Sequence, residues 1–174
     1  MTDAPFQLDP LLAAVRERST GLGSPIHGDL HWRTVGANGL WIADALSAVD
    51  RTVVFLFALL HDAMRENDWT DPEHGPRAAI LARSLFAEGL LGITESQLEL
   101  LTHACDEHTK GHVTDDPTVG ACWDADRLDL PRVGKQPRPE LLSTEAGRRG
   151  PGAARPAPSW SDLLNLTRRE ALVK

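Results

Sequence analysis

The chain has no tyrosine, only two cysteines in 174 residues, and no apolar run longer than the eight residues Val53 to Leu60. Each scarcity excludes something. Cys105 and Cys122 make neither a disulfide framework nor a Cys-x-x-Cys zinc pattern, and they suit a reducing compartment. A membrane span needs about 20 apolar residues, so none is expected. There is also no block of lysine and arginine: 18 basic residues face 25 acidic ones, for a formal net charge of −7. That argues against nucleic acid as a partner, because affinity for a phosphate backbone rests on many cationic contacts. The opening MTDAPFQLDP carries acids and a proline where an export signal has cations and then an apolar core. A soluble, cytoplasmic protein is the expectation.

What is present is enough for one domain with a real core. The hydrophobic fraction is 41 % and the charged fraction 25 %, ordinary for a globular chain. Leu8, Leu11, Leu12 and Val15 recur at helical spacing before the turn residues Gly21, Gly23, Ser24 and Pro25. Helices are predicted at about 26–46, where Gly36 and Gly39 weaken continuity, and at 50–64, which holds the run VVFLFALL. After the loop ENDWTDPEH, further helices are predicted at about 76–88, at 95–109 behind a Thr94/Gln97 capping box, and at 117–130. No period-2 stretch reads as a strand, so the fold class is all-α. Composition changes after Leu130, and residues 131–158 hold six of the twelve prolines. Residues 1–130 therefore read as the domain, with 131–174 as a Pro/Gly/Arg-rich tail or wrapping segment that ends in a short helix from Trp160 to Leu172, capped by Ser159.

Polar residues embedded in apolar stripes carry the functional information, because an uncompensated buried ionisable group is costly. His61 shares a face with Val54, Phe57 and Ala58, and Asp62 follows it about 100° round the helix. Such a pair reaches into a pocket from one helix end, where the carboxylate can bridge two ions. His31 is in line with Val35, Ile42 and Leu46; His74 with Ala78, Leu81 and Leu85; His108 with Leu98, Leu101 and Cys105. His103 shares its face with Glu99, Asp106 and Glu107, so it is expected to point outward. Asp126 continues the stripe Val119, Cys122, Trp123 and is expected to be the buried acid, with Asp124 on the opposite side, either exposed or bonded to a ligand. Four histidines and two aspartates thus point inward from separate segments. Spacing alone leaves two readings, hydrogen-bonded core groups or a site for Zn, Fe, Mn or Co.

His31, the pair in FALLHDAMREND, and Asp126 in WDADRLDL form an ordered pattern that resembles the H…HD…D signature of the HD superfamily of metal-dependent phosphohydrolases. HGPRAA at His74 and HTKG at His108 resemble the added motifs of its binuclear members, and the resemblance spans about residues 26–134. It implies an all-α HD-domain bundle. His31, His61, Asp62 and Asp126 would form the basic site, Asp62 would bridge, and His74 and His108 would complete a second metal. The implied chemistry is attack of a metal-activated hydroxide on the phosphorus of a nucleotide or small phosphoester.

Arg65 and Lys110 are candidates for binding substrate phosphates beside the catalytic Asp62, and Arg127 is a third; each is otherwise a surface charge. Trp32 either stacks on a base or packs; His27 and His112 are placed to support the ligands; Cys105 and Cys122 read as inert core. Two rival functions share the ligand set: an HD-type di-iron oxygenase, and a nucleotide-sensing module without turnover. The HTKG resemblance and the nearby cations favour hydrolysis.

Overall fold

A computed structural model of the chain describes residues 6–150 and 157–169, and within them it contains helices and no strands. The helices are α1 (Leu8–Arg18), α2 (Asp29–Ala45), α3 (Arg51–Leu60), α4 (His74–Ala87), α5 (Glu95–Glu107), α6 (Pro117–Arg127), α7 (Glu145–Arg149) and α8 (Trp160–Thr167). The all-α class expected from the sequence is the class observed. Among the described residues, no helix is long and apolar enough to cross a membrane.

α3 is the axis of the bundle. All its residues from Val53 to Leu60 are buried, as a helix apolar on every side must be, and it packs against α2, α5, α6 and α8. α2 runs unbroken through Gly36 and Gly39, because Gly39 is where α2 and α3 touch: a Cβ there would stand 2.5 Å from Val54 Cγ1. The absent side chain permits the close approach and offsets the loss of helix propensity.

The N-caps set the direction of three helices. Asp50 accepts from the N–H groups of Thr52 and Val53, Asp116 from those of Thr118 and Val119, and Thr94 forms the predicted capping box with Gln97. These caps are joined to one another. Gln97 Nε2 donates to Asp50 Oδ2 at 2.8 Å, and the Asp50 N–H donates to Thr118 Oγ1 at 2.9 Å. The N-termini of α3, α5 and α6 therefore sit together and the three helices run the same way, with their C-termini at the other end of the bundle.

The segment after residue 130 wraps the body. Leu142 and Ala146 are buried, and α8 inserts Trp160, Leu163 and Leu164 into the core. Ser159 caps α8 in a capping box with Asp162, the indole of Trp160 meets Phe55 edge-on at 5.5 Å, and its N–H donates to Asp29 Oδ1 at 2.8 Å. The predicted continuation to Leu172 lies partly outside the described residues; α8 itself ends at Thr167.

Candidate metal centre

Every candidate ligand stands at a helix end on the same side of the bundle. His31 is in the first turn of α2 and His74 opens α4; His61 and His108 are the C-caps of α3 and α5; Asp126 is in the last turn of α6. α3 stops about a turn short of the predicted 64, α5 two residues short of the predicted 109, and α4 begins two residues before the predicted 76. His61 and His108 keep helical dihedrals as C-caps, and the His61 N–H still donates to the carbonyl of Phe57, so these ligands leave the helix ends in helical register. Adjacent residues His61 and Asp62 enter one pocket.

Asp62 is at the centre, with its two oxygens facing different imidazoles. Oδ1 lies 3.0 Å from His74 Nε2 and 3.5 Å from His108 Nε2. Oδ2 lies 3.6 Å from His31 Nε2 and 3.8 Å from His61 Nε2. Asp126 Oδ1 closes the second group, 3.3 Å from His31 Nε2 and 3.8 Å from His61 Nε2. The six candidates thus form two half-sites, His31–His61–Asp126 and Asp62–His74–His108.

The donor chemistry fits a cation in each. Nδ1 of His108 is 2.7 Å from the carbonyl of Cys105, Nδ1 of His74 contacts the carbonyl of Asp71, Nδ1 of His61 faces the carbonyls of Phe57 and Ala58 at 3.2 and 3.3 Å, and Nδ1 of His31 is 2.7 Å from Asp129 Oδ2. An oxygen acceptor at Nδ1 requires the proton there, so each neutral ring carries its lone pair on Nε2. These lone pairs meet head-on: His31 and His61 Nε2 are 3.2 Å apart, and His74 and His108 Nε2 are 3.0 Å apart. Two lone pairs at such range repel unless positive charge joins them. Ligand bonds of about 2.1 Å place neighbouring donors about 3.0 to 3.5 Å apart in octahedral or tetrahedral geometry, which is the spacing throughout the Asp62–His74–His108 group and, apart from His61 to Asp126 at 3.8 Å, in the His31–His61–Asp126 group.

Electrostatics point the same way. Complete burial lowers the His61 pKa to about 3, which keeps its ring neutral. Burial works against the charged forms of His31 and His108 as well, yet hydrogen bonds to Asp126 and Asp129 raise the one and a hydrogen bond to Asp62 raises the other. Burial also works against ionised Asp62, but His61 and the imidazoles bonded to the carboxylate hold its pKa well below the ordinary value. The pocket draws in positive charge. Three helix C-termini, each with partial negative charge, end beside it.

The supporting residues sort less simply. Arg65 lines the adjoining cavity, 3.7 Å from Asp62 Oδ1, and its Nη2 donates to the carbonyl of Trp69 at 2.8 Å. Lys110 does not line that cavity and ion-pairs with Glu107 at 2.6 Å on the surface, contrary to the expectation that it faces substrate. Arg127 is buried rather than a surface charge; it donates to the carbonyls of His112 and Leu141 and so fastens two loops, while burial lowers its pKa. His27 touches Asp62 Oδ2 at 2.9 Å, whereas His112 is largely exposed beside Glu107. Trp32 is buried packing, with its indole N–H donating to the carbonyl of His27.

Of the two acids of α6, Asp126 joins the other candidate ligands as expected, but the more deeply buried one is Asp124. Asp124 is fully buried and accepts from the N–H groups of Ser143 and Thr144 and from the Thr144 hydroxyl. Asp126 is the acid that opens on the cavity, with its side chain 21 % exposed. Sequence reasoning missed Asp129, the acid that orients His31; its position three residues after Asp126 is the signal that it shares that face. It also missed the cations of the wrapping segment. The cavity of about 370 Å³ above the half-sites is walled by Arg132, Lys135 and Arg138 as well as by His27, Asp62, His108 and Asp126. Set against family models, curated proteins and solved structures, the chain matches none of them.

Proposed function

We propose that this protein is a metal-dependent phosphohydrolase of HD type, acting on a nucleotide or another small phosphoester. One observation carries the reading: two pairs of imidazole Nε2 atoms converge on opposite oxygens of a single buried carboxylate, at the floor of a cavity with a cationic mouth. His31, His61 and Asp126 would hold one divalent cation, His74 and His108 the other, and Asp62 both. Bound cations supply Lewis-acid chemistry, lowering the pKa of a water and neutralising charge on phosphoryl oxygens.

The chain's own residues do the rest. Asp129 and the carbonyls of Asp71 and Cys105 fix the imidazole tautomers that leave Nε2 free. Arg65 and the lysine and arginines of the wrapping segment attract and orient the anionic ester, and Leu130 and Leu141 narrow the cavity against bulk water. The two free, buried cysteines accord with a reducing, cytoplasmic location.

The test is metal quantification on purified protein followed by a panel of nucleotides, dinucleoside polyphosphates and phosphonates. About two equivalents of transition metal and release of phosphate are expected. Stoichiometric O₂ uptake with an iron-loaded site and no phosphate release would transfer the reading to the oxygenase class.

A further inference from the structure

Beside the cavity above the metal centre lies a second one, of about 500 Å³, and the two share the walls His27, Arg65, Leu130, Arg132 and Lys135. The second cavity is bordered by Trp69, whose indole is 86 % exposed, while Trp32, Trp123 and Trp160 are buried. The exposed indole is not on a loose loop. Arg65 donates to the carbonyl of Trp69 at 2.8 Å, the Trp69 N–H donates to Asn67 Oδ1 at 2.9 Å, and the same arginine touches the ring of His74. One side chain therefore ties the Trp69 backbone to the half-site that contains His74 and Asp62.

The chemistry around Trp69 is mixed. Val133 and Ile26 offer apolar contact, and Thr70 and Asp68 offer a hydroxyl and a carboxylate. Asp68 already accepts from the Ser24 hydroxyl through one oxygen; a planar heteroaromatic ring stacks on an indole face and bonds along its edge, to the Thr70 hydroxyl or the other Asp68 oxygen, which a plain acyl chain cannot do. The volume exceeds what a phosphate alone fills and falls in the range of small-molecule pockets. At the junction of the two cavities, Arg132 is engaged with the carbonyl of Ile26 and with Asp129, and Arg65 with Trp69. Lys135 is the exception: its amine has no partner among the described residues, and it borders both cavities.

We infer that this adjoining cavity is the subsite for the alcohol portion of the ester, a nucleoside, with Trp69 as its stacking platform and Lys135 beside the phosphate where the cavities meet. The inference rests on the phosphohydrolase reading for its phosphate, but not for the ring.

The experiment compares full-length protein with Trp69→Leu and Trp69→Phe in two assays. In the first, the preference in kcat/KM for AMP over glycerol phosphate falls about tenfold or more in Trp69→Leu, the loss expected for one base stacked on one aromatic ring, and is largely kept in Trp69→Phe. In the second, adenosine, which has no phosphate, quenches tryptophan fluorescence of the parent protein and fails to do so in Trp69→Leu. An unchanged AMP preference in Trp69→Leu overturns the inference, as does adenosine quenching that is absent in the parent or persists in the variant. Failure of the parent to hydrolyse either ester, with adenosine quenching lost in Trp69→Leu, would sink the hydrolase reading and leave the subsite standing.

Discussion

A carboxylate buried among imidazoles is tolerable only in the company of positive charge, and Asp62, with four histidines within 3.6 Å of its oxygens, is the residue on which both half-sites depend. Removing it takes from His74 and His108 the one acid that groups with them among the described residues, and takes one oxygen from the other half. Asp62→Ala is therefore expected to lose both metal equivalents and all activity, and His61→Ala to lose retention in its own half and activity with it. His103→Ala should retain both, since His103 is exposed, outside both half-sites, beside Trp123 at 5.8 Å between ring centres and near Glu107. Elemental analysis of the three purified variants is the check; equal loss in all three would discredit the assignment. The four histidines were legible because an imidazole in register with leucines and valines has to find a partner. Asp126 was legible as a ligand through its motif, and only the burial of Asp124 was misjudged, for a physical reason: the chain around Ser143 and Thr144, distant in sequence, covers the face of α6 turned away from the ligands. Trp69 was hidden because it sits in an irregular loop, where periodicity carries no signal.

At the level of helices, the site exists because α3, α5 and α6 end together, and its precision depends on how closely their neighbours approach. Gly75, next to His74 at the start of α4, is packed so tightly on α5 that a Cβ would stand 2.5 Å from the carbonyl of Cys105, the same carbonyl that fixes the tautomer of His108. Backbone cannot yield as a flexible side chain can. Gly75→Ala should separate α4 from α5, cost about 1–3 kcal/mol, and lower Tm by roughly 3–10 °C. Because the displacement falls between His74 and His108, the variant should also lose metal from that half-site first; calorimetry with elemental analysis reads both effects. A lower Tm with full metal content would mean that the contact is structural only. The helices themselves were largely legible, through the capping residues Asp50, Thr94 and Ser159 and the apolar stripes. Their ends were less so, since after Leu60 the backbone tightens into turns, with the Ala63 N–H bonded to the carbonyl of Leu60, that apolar periodicity does not mark.

Across the whole molecule, the candidate ligands span residues 31 to 126, so two cations, each held at three helix ends and sharing Asp62, would together join five helices that the chain connects only through loops. The wrapping segment ties the same body from outside. Arg33 Nη1 donates to the carbonyl of Pro158 at 3.0 Å and Arg51 Nη2 to that of Leu166 at 2.8 Å, which seats α8 across α2 and α3. A ligand that binds the folded state alone stabilises it by RT ln(1 + [L]/Kd), about 2.7 kcal/mol for each site at a hundredfold excess over Kd. Here the effect has a second source, because removing the cations leaves the facing Nε2 lone pairs at 3.0 and 3.2 Å with nothing between them. Chelation of the purified protein should lower Tm by roughly 5–10 °C or more, and re-addition of the metal found in it should restore the original value. In Asp62→Ala the same treatment should change Tm little, since no site remains to empty. If chelation leaves the parent protein's Tm where it was while its metal is shown to have gone, the cations are not part of what holds the five helix ends together, and the head-on histidine pairs must be satisfied by protons instead.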